Sequence, residues 1–212
     1  MALVPLTTIK LTAPYLLYLG DCPDLHHAKT GSGIAYWRPE HCAGQMRLPA
    51  CPVDLGLPEM SVQDAVDAGV RTAIVGVAPM SGRVPDQWLP QLCALAKAGI
   101  NVAAGLHTKL NSIATLVAAA HEGKATLVDV RIPPADLPIG DGRLRSGKRV
   151  LMVGTDCSVG KKYSALALHR ELARRDIKAT FRATGQTGIM IAGEGIPVDA
   201  VVADFISGAA EV

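Results

Sequence analysis

From about residue 60 onward, short apolar runs alternate with helix signals at an even beat, and few folds are compatible with that pattern. Met60-Ser61-Val62-Gln63-Asp64 reads as a helix start, with Ser61 as N-cap, an acid three residues on, and Gly69 as the stop. Arg71–Val77 is then a strand. Asp86, behind Pro85, opens a second helix whose Trp88, Leu89, Leu92, Leu95 and Ala96 share one face until Gly99. Ile100–Ala104 is the next strand. Asn111–Glu122 carries Ile113, Leu116, Val117 and Ala120 at helical spacing, with Gly123 as its C′ residue, and Ala125–Val130 is a further strand. Strand centres near 74, 102 and 128 recur every 25–30 residues, the length of a βαβ unit. Strands this uniformly apolar are buried on both faces, as in a parallel sheet. Pro14–Gly20 (PYLLYLG) supplies an earlier strand. The expectation is an α/β chain with a parallel sheet over residues 1–131.

Arg131–Lys148 breaks the beat, with three prolines and three glycines in eighteen positions, so residues 132–148 read as a linker. A second unit, 149–212, then begins: strand Arg149–Gly154, helix Gly160–Arg175, strand Ala179–Thr184. A piece this short cannot cover both faces of a parallel sheet. The sequence is therefore expected to be the N-terminal part of a longer polypeptide, or a unit completed by another chain.

Of the 212 residues, 49% are hydrophobic and 19% charged, which excludes disorder as the dominant state. The formal charge of +2 and an aromatic content of 4% argue against nucleic acid as a partner. The apolar stretches are too short to span a bilayer, and Lys10 interrupts the N-terminus before a secretory apolar region forms. A cytoplasmic protein is expected. The odd count of five scattered cysteines then reads as reduced thiols. Among Cys22, His26, His27, His41, Cys42 and Cys51, only Cys22–His26 has tight ligand spacing, so no metal site is expected. Lys29-Thr30-Gly31-Ser32-Gly33 lacks the third glycine of a dinucleotide fingerprint and reads as a turn or substrate loop. The apolar-rich, low-charge composition predicts a homo-oligomer.

The strongest chemical signal is VLMVGTDCSVGK, residues 150–161: a buried strand, a glycine-containing turn, and Gly160-Lys161 opening a helix. Backbone N–H groups in such a turn, with the positive helix end, make an anion hole of phosphate size. The ligand-binding candidates are Gly154, Thr155, Asp156, Cys157, Ser158, Val159, Gly160, Lys161, Lys162 and Tyr163. Two features depart from the GxxxxGK[ST] pattern. Five residues separate Gly154 from Gly160, and Lys162 stands where a Mg²⁺-binding hydroxyl belongs. Ser164, two residues beyond Lys162, points to another helix face. Phosphates held by basic side chains fit this loop better than Mg·ATP.

GTDCSVGK is similar to the GTDxxVGK loop of dethiobiotin synthetase, and Arg182-Ala183-Thr184-Gly185-Gln186-Thr187-Gly188 resembles that enzyme's segment ending in QTG. The likeness implies that Arg182, Gln186 and Thr187 bind substrate beside the loop. A wider resemblance covers nearly the whole chain, carried by GDCPDLHHAKTGSGIAYWRPEHC, GQMRLPACPVDLGLPEM, GLHTKL, VGTDCSVGKKYSALAL and FRATGQTGIMIAGEGIPVDAVVADFISGAAE. These runs resemble a bacterial family long catalogued as of unknown function, which joins a Rossmann-like domain to a C-terminal P-loop domain. The branch it looks like is assigned as D-glutamate N-acetyltransferase, moving acetyl from acetyl-CoA to the amine of D-glutamate.

The resemblance implies acetyl-CoA as co-substrate, with its phosphates on the lysines of the loop, and an acidic amino acid as the small-molecule partner. The two carboxylates of that substrate call for a basic clamp: Arg182, or Arg38 and Arg47 if the N-terminal domain contributes. The attacking amine must lose a proton, for which His107, after a parallel strand, and Asp156 are candidate bases. Asp199 and Asp204 read instead as helix-start or surface acids, and an acetyl group on Cys157 is a minor alternative. Two other readings stay open: an ATP- and Mg²⁺-dependent ligase or kinase of the dethiobiotin-synthetase type, and a nucleotide-sensing binding protein.

Overall fold

Strand β1 (Tyr15–Gly20) is buried at every position, and its side chains divide between two cores. Leu16 and Tyr18 enter one, Tyr15 and Leu17 the other, as a strand in the middle of a parallel sheet requires. The computed structural model describes residues 9–79, 82–144, 146–156 and 159–211, and among these the sheet has five strands. The others are β2 (Cys42–Arg47), β3 (Thr72–Val75), β4 (Asn101–Ala104) and β5 (Leu127–Asp129). All four pairings are parallel, in the order β2-β1-β3-β4-β5. The chain steps outward from β1 first to one side and then to the other. The crevice between β1 and β3, at the carboxyl ends of the strands, is the place where open α/β sheets bind ligands.

Helices α2 (Val62–Asp67), α3 (Leu89–Lys97) and α4 (Ala114–Gly123) cover one face through Ala65, Leu92, Leu95, Ala96, Leu116, Ala119 and Ala120. The signals read from sequence start and stop two of them. Ser61 and Asp64 form a reciprocal capping box on α2, and Gly69 follows at φ +69°. Asp86–Trp88 makes a tight 3₁₀ turn that runs into α3, which ends before Gly99 at φ +82°. Trp88 closes the crevice floor: its indole lies over Gly20 and its Nε1–H donates to Asp21 Oδ1 at 2.7 Å.

The other face is covered differently. Helix α1 (Lys29–Trp37) lies there, and its neighbour is α6 (Gln186–Ala192), which comes from the second half of the chain. Ile189, Met190 and Ile191 are buried against Leu17, Ile34, Ile74, Ala103 and Val130. The helix that completes the N-terminal sheet is thus supplied from beyond the proline-rich stretch. Helices α5 (Lys161–Arg174) and α7 (Ile206–Glu211) are the remaining α-helices of the described residues, and none of the described helices is long and apolar enough to cross a membrane.

Four expectations are corrected. Lys29–Gly33 is the first turn of α1, not a loop; Gly31 donates its N–H to Gly76 O at 2.8 Å, and only paired glycines allow that approach. Gly123 is the last residue of α4 rather than its C′ residue, and Lys124 takes the left-handed conformation at φ +54°. A Cβ on Gly123 would stand 2.0 Å from Ala96 O, so the glycine serves the contact between α3 and α4. Residues 149–154 form no strand, and Val150, Leu151 and Val153 are 72%, 79% and 78% exposed. Residues 179–184 contribute only an isolated bridge, Ala183 to Gly195. An extended apolar segment becomes a strand only beside a pairing edge, and among the described residues none lies next to 149–154. Helix α5, which needs no neighbour for its hydrogen bonds, forms as read.

Candidate functional site

The first turn of α1 is held at the crevice from two sides. Gly31 sits against Gly76, and Ala78 N–H donates to His27 O at 3.0 Å, which ties the loop after β1 to the exit of β3. Lys29 and Thr30 are thereby placed at the carboxyl edge of the sheet. Thr30 is only 8% exposed, and its Oγ1 lies 3.0 Å from Thr187 Oγ1 at the start of α6. Gln186 packs on Gly105 just past β4, where a Cβ would come within 2.7 Å of Gln186 Cγ. The Tyr163 hydroxyl donates to Lys29 O at 3.2 Å, and its ring stacks on Trp37 with centroids 6.3 Å apart. The Lys162 ammonium lies 4.3 Å from the Tyr163 ring centroid. Side chains from the two halves of the sequence therefore meet at one edge.

Gly160 opens α5 at φ +102°, a conformation that favours glycine, and the space a Cβ would occupy there is open for 4 Å. Lys161 folds back to donate to the Asp156 carbonyl. Gly154, Thr155, Asp156 and Val159 are exposed, with the Gly154 backbone closely approached by Val159 and Lys161. Cys157 and Ser158 lie outside the described residues. The turn offers the N–H groups of a fourteen-residue helix and two lysines to an anion, with Lys162 turned toward the N-terminal half.

The other residues singled out from sequence are scattered. His107 is exposed on the β4 exit loop, two residues past Gly105; its N–H donates to Gly82 O at 3.0 Å and its ring covers Gly82. Arg182 faces Glu194 at 3.3 Å. Arg38 caps the far end of α1, donating from Nε to Ile191 O at 3.0 Å beside Tyr15, at the amino edge of the sheet. Arg47 is paired with Glu59 at 2.7 Å and Asp54 at 3.6 Å. Arg38 thus lies away from the crevice, and Arg47, at the carboxyl end of β2, is already paired with two carboxylates. Asp199 pairs with Arg131 at 3.0 Å. The four described cysteines, Cys22, Cys42, Cys51 and Cys93, are free thiols.

Lys29 is the residue that sequence reasoning passed over. A lysine behind a buried strand and at the head of a glycine-rich helix was the available signal, hidden because GSG read as a loop. Its effect is electrostatic: burial, and then the Lys29 charge, push the Lys162 ammonium down to about 8. Burial pushes the Tyr163 phenol up. Because Lys162 binds its proton less tightly folded than unfolded, the unfolded state holds more protons between about pH 8 and 10.5. Stability contributed by this residue is therefore lowest below pH 8 and rises through that window. A melting-temperature profile of Lys162→Met against the parent should show the difference between them shrinking from pH 7.5 to 10. A parallel pair of profiles would contradict the assignment.

Two family models match the chain: the Rossmann-like domain described as a domain of unknown function (DUF1611_N) over residues 40–133, and the P-loop domain (DUF1611_C) over 138–212. A protein of Tritonibacter scottomollicae named D-glutamate N-acetyltransferase is 50% identical over 95% of this chain and 60% of its own length. One of Pseudoalteromonas with the same name is 41% identical over 96% of the chain and 61% of its own length. The crystal structure of a DUF1611 family protein from Anabaena variabilis superposes with a TM-score of 0.79 at 31% identity, over 94% of this chain and 60% of that one. The chain thus spans about 60% of the length of these relatives. With an α/β fold, a five-stranded parallel sheet and both halves of the sequence matched, the chain belongs to the DUF1611 family.

Proposed function

We propose that this chain is the part of a D-glutamate N-acetyltransferase that binds the acetyl donor, acetyl-CoA. The observation that carries the reading is the 50% identity, across 95% of the chain, to a relative of that name. The local chemistry agrees with it. Coenzyme A brings a 3′-phosphate and a pyrophosphate, and the turn before α5 offers N–H groups, open space at Gly160, and the ammoniums of Lys161 and Lys162. A lysine rather than a hydroxyl follows Lys161, which favours a donor whose phosphates are met by side chains.

In the reaction the amine of D-glutamate gives up a proton, its nitrogen attacks the thioester carbonyl, the C–N bond forms and the C–S bond breaks. The thiol leaves with the proton. Gln186 and Thr187, at the start of α6, are proposed to position the substrate, with Arg182 as carboxylate partner if it releases Glu194. His107, on the loop that Gln186 covers, is the proposed proton acceptor, with Asp156 as the alternative. A cytoplasmic setting and a homo-oligomer belong to the same reading.

The test is a thermal-shift titration with acetyl-CoA and, separately, with Mg·ATP, followed by an assay for N-acetyl-D-glutamate with the full-length Tritonibacter relative as reference. Stabilisation by acetyl-CoA without Mg²⁺ is the expected result. Stabilisation by Mg·ATP alone would overturn the reading in favour of a ligase or kinase.

A further inference from the structure

Lys29 and Lys162 are 133 positions apart in sequence, yet Tyr163, the neighbour of Lys162, is bonded to the Lys29 backbone and the Lys29 charge acts on Lys162. The Tyr163 hydroxyl is bonded to Lys29 O, the Lys162 ammonium lies on the Tyr163 ring, and the Lys162 stem passes Gly188 of α6, 3.8 Å from where a Cβ would sit. Thr30 and Thr187 close the same wedge from the other side. Lys162 is thus set between the starts of α1, α5 and α6, half-buried beside a like charge. Packing two ammoniums this way is unfavourable in itself, and an anion between them reverses the sign.

We propose that Lys29 and Lys162 form a clamp for a phosphate group, so that the phosphate site is built from both halves of the chain. The inference rests on the donor-phosphate reading above and extends it to a residue of the N-terminal domain. Two ammoniums act as point charges and suit a tetrahedral, doubly charged group approached from several directions. A planar carboxylate is matched better by a guanidinium fork, and of the nearby guanidiniums Arg182 already faces Glu194 while Arg170 lies over the Trp37 ring. Gly160 is the N-cap of α5 and Lys162 its second residue, so the open front of Gly160 and the first N–H groups of the helix belong to the same turn as Lys162 and serve the same phosphate. The depressed proton affinity of Lys162 agrees with this, since a bound dianion restores the charged form.

The experiment is calorimetric titration of inorganic pyrophosphate, acetyl-CoA and D-glutamate into the parent and into Lys29→Met, Lys162→Met and the double variant. Methionine keeps the apolar stem, and melting curves report whether each variant is folded. Loss of one charge-assisted contact should weaken pyrophosphate about tenfold in each single variant, about 1.4 kcal/mol. The double variant should lose less than the product of the two, because both lysines hold the same group. Lys29→Arg, which keeps a charge at the same place, should recover most of the affinity. Pyrophosphate affinity within twofold of the parent in a folded Lys29→Met chain would overturn the clamp. So would dependence of D-glutamate, rather than pyrophosphate, on the pair. If pyrophosphate obeys these expectations while acetyl-CoA ignores both lysines, the clamp stands and the donor reading fails.

Discussion

Gly123→Ala is expected to lower the melting temperature by about 10 °C, corresponding to a destabilisation of about 3 kcal/mol for a chain of this size. The added methyl would stand 2.0 Å from Ala96 O and 2.6 Å from Lys97 O, and neither is a flexible side-chain end that can swing aside. The carbonyls belong to the last turn of α3, whose Leu92, Leu95 and Ala96 are fully buried, so relief requires α3 and α4 to separate. That motion opens the core shared with Val102 and Leu116. Ordinarily Gly→Ala at a helix end is mild or stabilising, and a shift below about 2 °C would mean the helices part without cost. Circular dichroism melts of the two proteins decide the matter.

Ile189→Ala should cost about 2–5 kcal/mol, because the side chain is fully buried and removing it leaves a cavity beneath α6. Its larger consequence is local. Helix α6 carries Gln186 and Thr187, and its seven residues are held to the sheet mainly by Ile189, Met190 and Ile191. With the central contact gone, hydrogen exchange should accelerate in residues 186–192 and in the first turn of α1, while α4, on the opposite face, keeps its protection. Affinity for pyrophosphate should fall in the same variant, since Lys162 runs along α6 at Gly188. Equal acceleration across the whole chain would show instead that the sheet and α6 unfold as one unit.

The strands and helices most visible in sequence were those whose own side chains specify them. β1, β3 and β4 are short runs with every or nearly every residue buried, and α2 carries both halves of its capping box. β2 was illegible because its segment, CAGQMR, has no apolar run; its place depends on Gln45, buried and bonded to Asp54 and to Leu55 N–H. α1 was illegible for a related reason. Its glycines lower helix propensity and are required only because Gly76 comes so close, which is a tertiary fact. The segments 149–154 and 179–184 show the reverse error, in which a strong strand signal meets no pairing edge. At the candidate site, the loop from Gly154 to Lys161 and the pair Gln186 and Thr187 were legible as short motifs with fixed spacing. Lys29 was not, because a charge acquires its meaning from what it faces across the fold.

The placement of α6 also bears on how the protein is made. When β5 leaves the ribosome, one face of the sheet is covered by α2, α3 and α4, but beside α1 the other still exposes Leu17, Ile74 and Ala103. At about 5–20 residues per second, several seconds of synthesis pass before Gln186–Ala192 arrives to cover them. During that interval the nascent chain presents an apolar strip of the kind that chaperones bind. A stalled nascent chain that has emerged only as far as residues 132–148 should therefore retain chaperone that one emerged beyond α7 has released.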